Sequence, residues 1–196
     1  MDVETVPDAK TVIRRKFKEL RRKFSERGDS HVAEQLSANV KRFLRDFQDV
    51  QACVYKAQPY EAPCLVEPVT EYFYPVMKGE ELEFRRPGSP RSFQLNSFQI
   101  EEPVAEQSDL MDASLPAVVL CPAVAVDHHG VRVGQGKGFY DRFFDTHPHV
   151  LRVGVVFHIQ FSNDPLPADS WDQKLDWVVS EKMILRTSTR SSLSWI

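Results

Sequence analysis

Apolar residues in the first fifty positions recur at helical spacing. Ile13, Phe17, Leu20 and Phe24 stand at i, i+4, i+7 and i+11, which predicts a helix that buries one stripe. Gly28, Asp29 and Ser30 break the chain and re-cap it. On the second helix that follows, Leu36, Val40, Phe43 and Phe47 form another stripe. After Asp49 the period shortens. Residues 51–55 (QACVY) read as a short strand, followed by a loop or short helix punctuated by Pro59, Pro63 and Pro68. Residues 72–76 and 82–84 are candidates for two more strands. Residues 85–114 mix proline, serine, glutamine and acids without periodicity, which predicts a long surface connection of the kind that is functional or mobile.

Residues 117–121 (AVVLC) and 123–126 are apolar runs typical of strands buried on both faces. The tetrad Asp127-His128-His129-Gly130 is a turn signal. A glycine cluster from Gly134 to Gly138 follows it, then a helix from Phe139 to about Thr146. Residues 153–157 (VGVVF) and 177–179 read as two further buried strands. The last fourteen residues, rich in Ser, Thr and Arg, predict no element and a fraying tail over 183–196. Helices first, then apolar strands alternating with helical or loop segments, predict one α/β domain over 1–196. Its three layers hold a mainly parallel sheet flanked by helices.

Composition narrows the class. The 196 residues are 42% apolar and 27% charged, which excludes wholesale disorder. With 25 Lys+Arg against 28 Asp+Glu the chain is not a globally basic nucleic-acid binder, although a local patch stays open. The first twenty residues are charged throughout and hold no apolar signal core. The most apolar stretch, 115–126, is shorter than the ~20 residues a membrane span needs and contains Pro116 and Pro122. A cytoplasmic chain without a membrane partner is the expectation. Cys53, Cys64 and Cys121 form no CxxC pair, which suits buried reduced thiols better than a metal site or redox pair.

The strongest chemical signal runs from Gly130 to Arg142. Alternating glycines just before a helix let backbone N–H groups turn inward as a nest, and the helix start adds positive potential. Arg132 and Lys137 would bring charge to the same anion, so the segment predicts a phosphate cradle. It is neither standard nucleotide motif. Counted from Gly130, a P-loop needs glycine at 135 and Ser or Thr after the lysine, where this chain has Gln135 and Gly138. A dinucleotide fingerprint is GxGxxG; here the spacing is GxGxG.

Eight of the fourteen residues from Lys10 to Lys23 are basic. Such a run is by default a solvated face or a nucleic-acid patch. At roughly 100° per residue, however, Lys10, Arg14 and Arg21 share a sector of about 40° along the edge of the apolar stripe, from which they could reach a polyanion bound at the sheet. Asp141, Asp172 and Asp176 are candidate carboxylates for the Mg²⁺ that accompanies nucleotide phosphates, or else caps and surface charges. The six histidines form no HxxxH or HExxH set, which argues against zinc catalysis.

Taken together these pieces resemble the 5-formyltetrahydrofolate cyclo-ligase family, also called 5,10-methenyltetrahydrofolate synthetases. The resemblance runs from Lys10-x-x-x-Arg14 to Trp171-Asp172-x-x-x-Asp176-x-Val178. Its most specific part is Pro122-Ala-Val-Ala-Val-Asp127-x-x-Gly130-x-Arg132-x-Gly134-x-Gly136-x-Gly138-Phe139-Tyr140-Asp141-Arg142. It implies a fold similar to ribose-5-phosphate isomerases and CoA transferases. It also implies a reaction in which Mg·ATP drives closure of 5-formyltetrahydrofolate to 5,10-methenyltetrahydrofolate. In that chemistry the formyl oxygen is phosphorylated, the neighbouring amine attacks the activated carbon, and phosphate departs.

Position by position, the resemblance implies ATP contacts at Lys10, Arg14, Arg132, Gly134, Gln135, Gly136, Lys137, Gly138, Phe139 and Tyr140. Of these, Arg132, Lys137 and Tyr140 would carry the catalysis. It implies folate contacts at Lys56, at Glu61 and along Gln135–Phe139, and Mg²⁺ ligands at Asp141 and Asp172. A monomer or weak homodimer, with no nucleic-acid partner, completes that expectation. Two other readings stay open. One is a relative that keeps the phosphate site but takes another ligand, because Lys56 replaces a typically apolar residue and the stretch 98–103 lacks the usual glycine before Glu102-Pro103. The other is a nucleic-acid binder built on the basic helix, which however lacks interleaved stacking aromatics.

Overall fold

The computed structural model describes residues 8–187. Helix α1 (Ala9–Ser25) starts where the Asp8 carboxylate accepts from the Thr11 amide, and its last turn carries Arg22 and Lys23, which complement the negative end of the helix. Its stripe divides between two cores. Phe17, with Ile13 and Leu20, packs against Val124, Val133 and Leu166, while Phe24 meets Phe157 at 5.1 Å. Helix α2 (Ser30–Leu44) is capped by Asp29, which accepts from the His31 amide, and buries Leu36, Val40 and Phe43. Phe47, the last member of that stripe, ends a short 3-10 turn and is half-buried on the same core.

The strands are β1 (Gln51–Cys53), β2 (Tyr74–Lys78), β3 (Glu81–Pro87), β4 (Phe93–Leu95), β5 (Glu101–Pro103), β6 (Ser108–Leu110), β7 (Ala117–Pro122), β8 (Ala125–Asp127), β9 (Arg132–Val133), β10 (Leu151–Val155), β11 (Phe161–Ser162), β12 (Trp177–Val179) and β13 (Ile184–Arg186). The main sheet has the order β1-β7-β10-β12-β13. Its first four strands are parallel and β13 is antiparallel. Along β7 the two faces alternate as the pleat requires. Val118 and Leu120 join the core under α2, whereas Ala117, Val119 and Cys121 join the core under helix α3 (Phe139–Thr146), which supplies Phe143 and Phe144. Two apolar faces covered by different helices give the three layers expected, and they explain why these strands carry almost no polar side chains.

Two expectations are corrected. Residues 85–114 are not a structureless connection. They hold the end of β3, all of β4, β5 and β6, and complete two small antiparallel sheets, β2-β3-β6 and β4-β5. Three-residue strands with one exposed face carry too little alternation to register as a pattern. The tail is not free of structure from 183, because Ile184–Arg186 pairs with β12 and Thr187 donates to the Asp176 carbonyl at 2.9 Å. Residues 188–196 lie outside the described residues. Elsewhere the first strand is shorter than expected, ending at Cys53, and β2 starts at Tyr74.

All three cysteines are free and buried. Among the described residues no helix is long and apolar enough to cross a membrane.

Candidate active site

The glycine segment hangs from a hairpin that the sequence fixes locally. The Asp127 carboxylate, buried in the β8–β9 turn, accepts from the amides of His129, Val131 and Leu166 at 2.8–2.9 Å. Gly130 closes that turn at φ +75°, and a Cβ there would stand 2.4 Å from the Leu175 carbonyl oxygen. Asp127 and Gly130 therefore hold the scaffold rather than a ligand. Strand β9 then delivers Arg132, only 7% exposed, whose Nη2 donates to Asp141 in the first turn of α3 at 2.9 Å. The same guanidinium lies 5.7 Å from the centre of the Tyr140 ring. Gly138, at φ +69°, takes the left-handed conformation from which α3 begins, so the loop 134–138 turns on residues without a Cβ. From the other side Arg14 Nε donates to the Gly134 carbonyl at 3.1 Å, pinning α1 to the loop.

These parts wall a cleft of about 510 Å³ beyond the carboxyl ends of β1 and β7, a size suited to a small-molecule substrate. One end is cationic, with Lys10, Arg14, Arg132 and Lys137 on its walls. Lys137 is exposed and makes no ion pair among the described residues, so its ammonium is available to an anion. Lys10 donates to Asp169 at 2.5 Å and to Asp172. Burial works against its charged form, but the hydrogen bonds and charge of the two carboxylates outweigh that and raise its pKa above the ordinary lysine value.

Two buried glutamates also line the cleft. Glu61, 7% exposed, accepts from the Gln58 amide at 3.1 Å and from the Gln135 side chain at 3.2 Å, and lies 3.7 Å from the buried Arg21. Glu102, also buried, accepts from the Met77 amide and from Asn96 at 3.3 and 3.1 Å through one oxygen. Lys56 sits 4.6 Å over the Phe93 ring and 3.7 Å from Glu101. Burial pushes the Tyr55 and Tyr140 phenols well above their usual range, so both keep their protons at neutral pH. Tyr140 can donate a hydrogen bond; it cannot serve as a base.

Whether Mg²⁺ fits is decided by the donors present. Among the described residues no group of three or more His, Cys, Asp or Glu converges on one point. Asp141 and Asp172 nevertheless line the same cleft, each already facing a cation, Arg132 and Lys10 respectively. Two carboxylates beside cationic side chains suit Mg²⁺ where a phosphate also binds, since it keeps waters and substrate oxygens for its other positions. Asp176 stands apart: its carboxylate accepts from the Arg152 amide deep in the fold.

The predicted residues thus converge. Lys10, Arg14, Lys56, Glu61, Arg132, Gly134 through Asp141 and Asp172 all line this one cleft. Arg21, grouped with Lys10 and Arg14 by helical angle, instead stands behind Glu61. Residues given no site role from sequence also reach the cleft, among them Met77, Asn96, Phe98, Asp169 and the motif residue Trp171. Met77 arrives on β2, one residue past the strand expected over 72–76, Asn96 and Phe98 arrive on the β4–β5 turn within the stretch expected to be a connection, and Asp169 and Trp171 shortly precede Asp172.

A sequence model described as the 5-formyltetrahydrofolate cyclo-ligase family matches residues 6–181. A Schizosaccharomyces pombe protein named "Probable 5-formyltetrahydrofolate cyclo-ligase" is 30% identical over 107 residues, 48% of this chain and 52% of that protein. The 5-formyltetrahydrofolate cyclo-ligase of Escherichia coli K12 is 34% identical over 92 residues, 46% of this chain and 50% of the relative. The aligned segment thus spans about half the length of these curated relatives. The solved structure of Aquifex aeolicus 5,10-methenyltetrahydrofolate synthetase superposes with a TM-score of 0.77 at 29% identity, covering 94% of this chain and 96% of that one. A Mycoplasma pneumoniae protein of the same name, at 18% identity and a TM-score of 0.68 over 89% of this chain and 99% of its own, shares the fold.

Proposed function

The chain belongs to the 5-formyltetrahydrofolate cyclo-ligase family, and on that premise we propose that it closes 5-formyltetrahydrofolate to 5,10-methenyltetrahydrofolate with ATP as the phosphoryl donor. The observation that carries this reading is the composition of the cleft: Lys10, Arg14, Arg132, Lys137 and the glycine loop on its walls, the buried Glu61 bonded to Gln135 of that loop, and, among the described residues, no Ser, Thr or Cys lining it. A site of that composition positions and neutralises rather than attacks.

In this reading Lys10, Arg14 and the loop from Arg132 to Tyr140 hold the triphosphate. Gln135 through Phe139 lie between the two substrates, and Lys56 and Glu61 receive the folate. Glu61 suits a pterin edge because an ionised carboxylate only accepts, and such a ring presents several N–H donors. The formyl oxygen takes the γ-phosphoryl group and ADP leaves. The neighbouring amine then attacks the formyl carbon, loses its proton, and expels phosphate. Arg132, Lys137 and the protonated Tyr140 donate to oxygens that gain charge in these steps. Asp141 and Asp172 would hold Mg²⁺, which when bound spreads the charge of the phosphoryl oxygens. For Asp172 that requires Lys10 to turn from the carboxylate towards the phosphates. The layering of α2, sheet and α3 also supports a fold like that of ribose-5-phosphate isomerases and CoA transferases.

The test is spectroscopic. Purified protein with 5-formyltetrahydrofolate should generate the near-ultraviolet absorbance of the methenyl product only when Mg²⁺ and ATP are both present. Absence of product, with ATP still raising the melting temperature, would replace the folate by another second substrate.

A further inference from the structure

The cationic end of the cleft has an aromatic ring that nothing described so far uses. Trp171 lines the cleft and is 68% exposed, the most open of the large apolar side chains at this site. A single exposed tryptophan means little by itself, but its place is specific. It immediately precedes Asp172, whose carboxylate bonds Lys10, and follows by two residues Asp169, which bonds the same ammonium. The indole therefore stands at the rim where the cations of α1 meet the loop 163–176.

Its backbone is anchored, since Asp172 N donates to the Asp169 carbonyl at 3.1 Å and the Trp171 carbonyl accepts from Gln173. Its ring is not: among the described residues no aromatic or cationic group packs on either face. The other aromatics of the cleft are differently placed. Phe139 has the Arg142 guanidinium over its ring at 5.3 Å. Tyr140 packs against Phe84 and Phe144. Phe98 belongs to the Asn96–Glu102 end.

We propose that Trp171 is the nucleobase platform of this site: its open face stacks on the purine of a nucleoside triphosphate whose phosphates lie among Lys10, Arg14 and the glycine loop. The inference rests on the nucleotide reading given above and adds what selects the base. A triphosphate held between the glycine loop and Lys10 would bring its nucleoside to the 169–172 turn, because Asp169 and Asp172 bond the Lys10 ammonium there and Trp171 lies between them on the cleft wall. Stacking uses the π-face that every base has, so the platform favours purines through area and tolerates changes at the base edge.

Intrinsic fluorescence and equilibrium binding on the full chain separate the possibilities. Trp177 is a poor reporter of the cleft, being packed between Phe43 and Arg186 on the α2 side of the sheet. ATP should quench the wild-type emission and tripolyphosphate should not. Trp171→Leu should lose that quenching and weaken ATP binding roughly tenfold, leave tripolyphosphate affinity unchanged, and melt within a degree or two of wild type. Trp171→Tyr should recover most of the ATP affinity. Unchanged ATP affinity in Trp171→Leu overturns the proposal. Equal losses for ATP and tripolyphosphate also overturn it, because they would make Trp171 a prop for the phosphate site, and so does a loss confined to the reduced folate. If wild-type protein binds neither ATP nor tripolyphosphate, the nucleotide site itself fails, a result distinct from all of these.

Discussion

The ammonium of Lys10, in the first turn of α1, and the carboxylate of Asp172, 162 residues further along the chain, are hydrogen-bonded across the mouth of the cleft. This contact, with the one to Asp169, ties the first helix to the last long loop, and both side chains of the Lys10–Asp172 pair are largely buried. A charge pair this sheltered is screened less than a surface one, so its loss is felt in the fold as well as in the site.

The first prediction is a pH dependence. The pKa of Lys10 is raised in the folded protein above its ordinary value of 10.5. A raised pKa on a cation means that its contribution is fully present below that ordinary value and is lost as pH climbs through the folded one. Lys10→Gln should lower the melting temperature by roughly 2–4 °C, the effect of about 1 kcal/mol in a chain of this size. That difference should hold from pH 7 to pH 10 and shrink only above about 10.5. A difference that vanishes by pH 8 would show that the ammonium is not held by the carboxylates.

Gly134 yields a second prediction. A Cβ there would lie 2.7 Å from Arg132 Nη1, close enough to displace the guanidinium that pairs with Asp141. Gly134→Ala should reduce turnover by about 10²-fold, the scale expected when one charge-stabilising donor leaves its position, while the chain stays folded. Gly79→Ala is the control. That glycine, in the β2–β3 turn, has φ +64° and nothing within 4 Å of an added Cβ. It should lose about 1–2 kcal/mol of stability and keep its activity. Equal effects on turnover would remove the argument from Arg132.

Much of this site was legible because long periodic stretches and glycine spacing are local. The stripe Ile13–Phe24 set α1, the sector of Lys10 and Arg14 set which of its basic residues reach the cleft, and Gly138 marked the start of α3. What stayed hidden depends on distant partners. Strands β4 and β5 exist because Gln94 and Glu102 pair across a turn that carries no strong signal, and Ile184–Arg186 becomes a strand only beside β12. Arg21 shows the limit of angular reasoning. Its helical phase matches Lys10, yet a turn of chain bearing Glu61 closes over it, and no periodicity in α1 could reveal that.

The thiols support a third prediction. Burial alone pushes Cys53 up, and it is the main cause that raises Cys64 and Cys121 to about 12. Roughly one thiol in ten thousand would then be ionised at pH 8, and only the thiolate reacts. An aromatic disulfide reagent should therefore modify none of the three in the native protein and all three in denaturant, with a native-state rate that follows unfolding. A fast-reacting equivalent at pH 8 would place at least one cysteine in contact with solvent.

The buried pair of Arg21 and Glu61 at the cleft supports the fourth. Arg21 and Glu61 lie 3.7 Å apart with side chains 7% and 3% exposed, and two guanidinium nitrogens of Arg21 have no hydrogen-bond partner. Removing one member strands the other charge in a low-dielectric setting, at a cost of about 3–5 kcal/mol. Glu61→Gln and Arg21→Met should each approach that cost, Arg21→Met less so because Glu61 keeps its bonds from Gln58 and Gln135. The double variant, with no buried charge left unpaired, should be more stable than the sum predicts by about 1–3 kcal/mol. Urea midpoints for the four proteins measure this directly. Strict additivity would mean that Arg21 and Glu61 do not stabilise one another across their 3.7 Å separation.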